Sequence, residues 1–344
     1  MYHPGLFLSC FLEKGQLITI HIYTIWYIFS GGVEMIDKAI GMYHFITDRA
    51  PRNIPIVEPK PRLTNRFCQN NRPLVSKVAP GSNLRESIEK CLTLLGDAKK
   101  IFRRGDRILV KPNFNSPDPF PASTDLYFMR AILDILTETG SKITIGESSG
   151  GIWRPTRKVF RKMGVTELAR ECGVELIAFD DKNVDWVNVR INGAYLDSII
   201  IPRLVYEADT VLYLPCMKTH NIAGYTGALK LAVGFMHPGE RRALHARYLK
   251  QKIAEVNLFR QPDLIIMDGR KAFVSGGPDR GQLVNPSVLL ASEDPVAIDV
   301  EAMHILLAYE ARNKIMPDPW QSAEIVTALQ HRLSTSQDGY ELLK

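Results

Sequence analysis

The apolar positions of this chain fall into short continuous runs. Between the runs lie longer stretches where apolar residues recur every three or four positions. Ile108-Leu-Val110, Ile143-Thr-Ile145, Val174–Phe179, Thr210–Leu214, Leu264–Met267 and Val288–Ala291 have strand length, and such runs match strands buried on both faces. Asn83 and Glu86 make a variant capping box ahead of a stripe of Leu84, Ile88, Leu92 and Leu95. Asp125 can cap a helix carrying Met129, Ile132, Leu133 and Leu136. A helical region with Val159, Phe160, Met163 and Leu168 follows, and Asp294-Pro295 opens a helix through Leu307. Asn192-Gly193 marks a hairpin. This alternation predicts an α/β fold with a mostly parallel sheet and helices on both faces. A division into two lobes is left open.

The expected α/β domain covers residues 75–308, with any lobes at roughly 75–235 and 236–308. Residues 35–74 read as an extended arm, because 48–80 hold six prolines. The polar stretch 309–344 reads as a peripheral helix or tail. Leu17–Phe29 is apolar, but its 13 residues fall short of a membrane span, which needs about 20. The codons for Gly31-Gly32-Val33-Glu34 can spell a ribosome-binding site before Met35. Met35 is therefore read as the start and residues 1–34 as a translated leader.

Composition narrows the class. The 344 residues are 45% hydrophobic and 23% charged, with net charge +6, the profile of a globular chain with room for a large core. The basic clusters at 99–107, 154–162 and 241–252 lack any nucleic-acid-binding signature and read as solvated faces. Neither nucleic acid nor membrane is expected as a partner. The five cysteines form no C-x-x-C pair, so no iron–sulfur motif is present. Their scatter suits a reducing cytoplasm. No strand ends in G-x-G-x-x-G or a P-loop, which argues against the standard nucleotide sites.

Candidate chemistry collects after the strands, where a parallel sheet presents its ligand-binding edge. Lys111, Asn113 and Asn115 follow one strand, Glu147 and Ser148 the next, Lys218, Thr219 and His220 a third, and Asp268 a fourth. His220 is a candidate general base. Gly224 and Gly227 allow close backbone approach, and a helix opening near Thr226–Leu229 offers N–H groups to an anion. Lys230 is a nucleophile candidate if burial lowers its pKa. Arg242 can hold a carboxylate or phosphate. His220, His237 and His245 are the metal-ligand candidates, the metal itself being unspecified. The expected ligand is a small anion.

From about residue 75 to 308 the chain resembles the family called domain of unknown function 362. The matching stretches are Val110-Lys-Pro-Asn113, Gly146-Glu-Ser148, Lys218-Thr-His220, Gly227–Gly234, Asp268-Gly269, Gly276-Gly-Pro278 and Asp294–Asp299. Many members of that family carry a four-cysteine ferredoxin-type segment, which this chain lacks. More distantly, Val205–Lys230 is similar to the lactate racemase family, in which a strand ends in histidine and a lysine beyond a glycine loop holds a nickel-pincer nucleotide. His220 and Lys230, ten apart (230 − 220), match that layout. The resemblance implies a proton-transfer base at His220, a cofactor tether at Lys230, and a nickel ligand near His245 or His237. The racemases have a further catalytic histidine where this chain has Glu147. A two-base reaction would need Glu147 in its place.

These readings lead to an enzyme that transfers a proton on a small carboxylate or other anion, using His220, Lys230, Lys218 and Glu147. Two alternatives stand beside it: a redox or metallocentre accessory protein, and a non-catalytic ligand-binding protein.

Overall fold

The computed structural model describes residues 32–62, 64–337 and 339–344. In chain order the strands are β1 (Ile56–Val57), β2 (Cys68–Gln69), β3 (Arg72–Val78), β4 (Arg107–Pro112), β5 (Lys142–Glu147), β6 (Glu175–Ala178), β7 (Trp186–Arg190), β8 (Ser198–Pro202), β9 (Thr210–Leu214), β10 (Cys216–His220), β11 (Gly224–Thr226), β12 (Leu264–Gly276), β13 (Gly281–Val284), β14 (Val288–Ser292) and β15 (Glu341–Leu343). The helices are α1 (Gly32–Thr47), α2 (Leu84–Leu94), α3 (Leu126–Thr137), α4 (Thr156–Lys162), α5 (Val165–Cys172), α6 (Arg203–Glu207), α7 (Ala228–Leu231), α8 (Arg241–Ala246), α9 (Leu249–Val256), α10 (Pro295–Leu307) and α11 (Ala323–Gln330).

One sheet organises the molecule, in the order β15-β3-β14-β12-β9-β4-β5-β6. From β12 to β6 every pairing along this path is parallel. On the other side, β14 pairs antiparallel with both β12 and β3, and β15 runs parallel to β3. Strands from both sides of residue 235 thus share a single sheet. β10 continues from β9 and pairs with β12 and β11.

Side chains alternate across a strand, and the core shows it. Leu264, Ile266, Leu212 and Val110 join the apolar cluster that also contains Ile88, Met129, Ile132 and Phe160 from α2, α3 and α4. Ile265, Met267, Val211 and Leu109 join the opposite cluster with Ile253, Val300 and Ile325 from α9, α10 and α11. The sheet is buried on both faces, as the continuous apolar runs predict. The caps agree as well: Asn83 accepts the Glu86 N–H at 3.4 Å, Asp125 that of Phe128 at 2.9 Å, and Asp294 those of Val296 and Ala297. β7 and β8 form the antiparallel pair around Asn192-Gly193.

Two expectations about the ends change. The extended arm is interrupted by α1, which covers Gly32–Thr47. Residues 1–31 of the expected leader lie outside the described residues. α1 packs on the turn Gly151–Trp153 so closely that a Cβ on Gly41 would stand 2.0 Å from the Ile152 carbonyl oxygen. The buried Arg154 pairs with Asp48 just beyond the helix and with Asp180 at 3.1 Å. Arg242 donates to the carbonyls of Ile46 (3.0 Å) and Asp48 (3.1 Å). A helix C-terminus leaves carbonyls unpaired, and a guanidinium satisfies them. At the other end, residues 309–344 are not peripheral: α11 buries Glu324, Ile325, Thr327 and Ala328, and β15 completes the sheet.

Removing one partner of a buried ion pair leaves an uncompensated charge and costs about 3 kcal/mol or more. Arg154→Ala strands the buried Asp180, so urea unfolding is expected to show a loss of about that size. Limited proteolysis is expected to cut between residues 32 and 50 faster in the variant.

Candidate functional site

β4, β5 and β10 bring the predicted polar groups to one edge of the sheet. Lys111, only 1% exposed, pairs with Glu147 Oε1 at 2.7 Å and donates to the Pro112 carbonyl at 2.8 Å. Glu147 also accepts the N–H of Phe114 at 3.0 Å and of Ser148 at 2.7 Å. A Cβ on Gly234 would lie 2.7 Å from the Lys111 amine, so the absence of a side chain there makes room for the pair. Burial lowers the Lys111 pKa, and Glu147 opposes that shift. With three donors on its carboxylate, Glu147 joins the loops after β4 and β5. The sequence reading gave Glu147 to a second base and Lys111 to the ligand; here each is occupied by the other.

Arg241 reinforces this frame. Its guanidinium donates to the carbonyls of Met236 (3.1 Å), Ser148 (2.9 Å), Ser149 (3.3 Å) and Gly234 (2.8 Å). Burial lowers its pKa to about 10. The Ser148 hydroxyl is buried and has no hydrogen-bond partner. Asn115 accepts the Gly150 N–H at 2.8 Å. Asn113 donates at 3.3 Å to the Ala122 carbonyl, which also receives the Lys218 amine.

Lys218 is buried and its pKa is lowered, first by burial; the charges of Asp279, Asp118 and Glu147 work in the other direction. The Cys216 thiol is also buried, and its pKa is raised for the same reason. It is therefore held away from thiolate chemistry. Thr219 bonds weakly to the Gly276 carbonyl at 3.4 Å.

His220 ends β10, and its Nδ1 accepts the backbone N–H groups of Ile222 at 3.1 Å and Ala223 at 3.2 Å. A nitrogen that accepts carries no proton, so the neutral ring holds its proton on Nε2. Burial, followed by the charges of Lys230, Lys218, His245 and Lys314, lowers the pKa to about 2. The expected base is thus placed as a neutral ring with an N–H to donate.

Lys230 lies on α7 and is half-buried. The helix is set by Asp299, whose carboxylate accepts the N–H groups of Ala228 (2.7 Å) and Leu229 (2.9 Å) and the Tyr225 hydroxyl (3.1 Å). The helix opening that the sequence offers to an anion is therefore filled by the protein's own carboxylate. A Cβ on Gly227 would stand 2.2 Å from that carboxylate. Gly224 has φ +89° and approaches the Lys314 carbonyl, where a Cβ would come within 2.8 Å. Lys230 has neither hydrogen bond nor ion pair among the described residues. Burial and the charge of Lys218 lower its pKa to about 8, while Glu324 and Asp279 act to raise it.

Glu324 and Asp279 were not singled out by the sequence reading. Glu324 is 3% exposed, and its Oε1 has no hydrogen-bond partner. Burial, then the charge of Asp299, raises its pKa to about 8. Asp279 accepts the Ser116 hydroxyl at 3.2 Å, and burial raises its pKa.

The remaining candidates lie elsewhere. Asp268 is held by Arg270 through Nε at 3.0 Å and a terminal nitrogen at 2.6 Å, and Arg270 also reaches Asp125. Arg242 serves the end of α1. His237 accepts the Gly239 N–H at 3.0 Å and packs edge-on against Trp186, with ring centres 4.6 Å apart. His245 is exposed and bonds to the Arg241 carbonyl at 2.7 Å. Among the described residues no three His, Cys, Asp or Glu side chains come together as a metal-binding group. Lys230 has the free amine that a cofactor tether requires, but the histidines do not assemble a ligand set around it. No helix among the described residues is long and apolar enough to cross a membrane.

The model of the family "Domain of unknown function (DUF362)" matches residues 108–304, and the chain belongs to that family. A thylakoid-associated protein of Synechocystis sp. is 25% identical over 288 residues, covering 78% of this chain and 86% of the relative. Among solved structures, the lactate racemase apoprotein from Thermoanaerobacterium thermosaccharolyticum aligns with 13% identity and a TM-score of 0.38. The alignment covers 72% of this chain and 62% of the racemase.

Glu324 provides a pH test. Its carboxyl titrates near 4.5 when unperturbed and at about 8 in the fold. Between those values the native chain holds a proton that the unfolded chain releases, so this group makes stability fall as pH rises. Glu324→Gln removes the ionisation. The variant is expected to gain on the parent from pH 4.5 to 8, by up to about 1.4 kcal/mol per pH unit, read by urea unfolding at several pH values.

Proposed function

We propose that this chain is an enzyme that binds a small anion, a carboxylate by preference, beside Lys230 and moves a proton on it. The observation that carries the reading is the Lys230 amine. It is half-buried, has no partner among the described residues, and sits within the fields of Lys218 and Arg241. An excess of positive charge in a partly desolvated site favours an anionic ligand. Lys218, tied to the Ala122 carbonyl, supplies fixed charge.

His220 acts in this reading as a neutral donor from Nε2. Its surroundings exclude the imidazolium, and an uncharged imidazole can polarise a carbonyl or carboxylate oxygen without becoming charged itself. A racemase-like exchange needs a second group to give or take the proton. Glu147 does not suit that role while it holds Lys111 and two backbone N–H groups.

Titration calorimetry with oxalate tests the anion site. The parent chain is expected to bind, and Lys230→Ala and His220→Ala are each expected to weaken binding by about tenfold or more, the scale of one lost charge-assisted hydrogen bond. Arg242→Ala is expected to bind as the parent does, because Arg242 serves α1. Equal binding by the Lys230→Ala variant, or no oxalate binding by the parent, would sink the reading. Proton NMR in heavy water then separates an enzyme from a binding protein: exchange of the C–H next to an added 2-hydroxy carboxylate is expected for the enzyme alone.

A further inference from the structure

Four helices pack together behind the site, and each brings at least one ionisable group. α7 packs on α9 and α10, and α11 packs on both α9 and α10. They carry Lys230; Lys250, Lys252 and Glu255; Asp299, Glu301 and His304; and Glu324 respectively. Lys252 donates to the Ala243 carbonyl, Glu255 accepts the N–H groups of Ala194, Tyr195 and Leu196, Glu301 holds Lys77 and Tyr340, and His304 is exposed. Asp299 is fully committed to the α7 N-terminus. Lys250 lies by the β10–β11 turn, where a Cβ on Gly224 would stand 3.5 Å from its amine. Lys230 and Glu324 remain, an amine without a partner and a buried carboxyl with an unbonded oxygen. A buried polar group left unbonded costs about 1–3 kcal/mol, so groups of this kind deserve a functional explanation.

We infer that Lys230 forms an imine with a small 2-oxo acid and that Glu324 is the acid that serves the reaction. The inference rests on the anion site proposed above and names its substrate class. The substrate carboxylate is held by the positive groups around Lys218, and its carbonyl oxygen accepts from His220 Nε2–H. The neutral Lys230 nitrogen attacks the carbonyl carbon; the C–N bond forms as the C=O π pair moves to oxygen. A proton passes from nitrogen to that oxygen, giving a neutral carbinolamine. Glu324 then protonates the hydroxyl, which leaves as water while the nitrogen lone pair closes the C=N bond. The products are an iminium on Lys230, a carboxylate on Glu324 and one water. No oxidant or metal enters the balance, and the new cation lies within the field of the new anion.

Environment supports both starting states. Burial lowers Lys230 to about 8 and raises Glu324 to about 8, so near neutral pH an unprotonated amine is accessible and the acid keeps its proton. A lysine desolvated among other cations is a recurrent form of activated amine.

The test uses the full chain, glyoxylate as the probe and cyanoborohydride to trap the imine at pH 7, with peptide mapping of the carboxymethylated lysines. Lys230 is expected to be trapped at least about tenfold faster than any other lysine, as an activated nucleophile should be. Glu324→Gln, shown folded by circular dichroism, is expected to slow trapping at Lys230 by about tenfold or more, the lower range for loss of a general acid. Glu324→Asp is expected to retain part of the rate. Labelling spread evenly over the lysines, or none at Lys230, overturns the imine; parent-like trapping in Glu324→Gln overturns the role of Glu324. Oxalate binding by the same preparation distinguishes the two readings. Binding without trapping removes only the imine, whereas loss of both removes the anion site as well.

Discussion

The carboxylate of Asp299 sets the position of everything around Lys230. α10 is a mostly apolar helix in the core, and its Asp299 side chain faces the start of α7. A four-residue helix has little cooperativity of its own, so its orientation is imposed from outside. Asp299 imposes it by taking two of the orphan N–H groups that any helix start must satisfy. Tyr225 adds its hydroxyl, and Gly227 leaves the space that the carboxylate occupies. Burial raises the Asp299 pKa to about 7 even with three donors around it. The arrangement is therefore secured by geometry and hydrogen bonds more than by full charge.

Two kinds of polar group occur in and around the sheet. One kind is saturated: Lys111 with Glu147, Arg241 with four carbonyls, Asp268 with Arg270. These tie loops together and are poor candidates for chemistry, because any ligand must first displace a buried partner. The other kind is left incomplete: the Lys230 amine, the Glu324 carboxyl and the Ser148 hydroxyl. Incomplete groups inside a saturated frame keep their positions while staying free to bind. His220 stands between the two kinds, with one nitrogen saturated by backbone and the other not used by it.

The fold was largely legible because its strands are short, apolar and buried on both faces, and because Asn83, Asp125 and Asp294 mark helix starts by a local mechanism. Strand ends were legible for the same reason, and they located Lys111, Glu147, Lys218 and His220. The roles were not. Whether Glu147 is free or paired depends on Lys111, 36 positions away (147 − 111), and no local pattern encodes that. Arg241 and Arg242 are adjacent and look alike in sequence, yet one staples the site loops and the other ends α1. Asp299 carried a signal that could have been used, since a carboxylate on the buried face of an apolar helix must have a partner. Glu324 carried none: its neighbours Ala323, Ile325 and Val326 suit any amphipathic helix, and only the packing of α11 reveals its burial.

The placement of α11 and β15 has a consequence for the order in which the protein comes into being. Lys230 and its helix are synthesised well before Glu324, and β15 pairs with β3, one of the first strands made. Early in synthesis the Lys230 amine has Lys218 nearby but not the Glu324 carboxyl that opposes it. The electrostatic character that distinguishes this amine is thus complete only when the last helix docks. A chain in which α11 has not docked keeps the lysine but lacks both the carboxyl that opposes its lowered pKa and the acid proposed for the imine step.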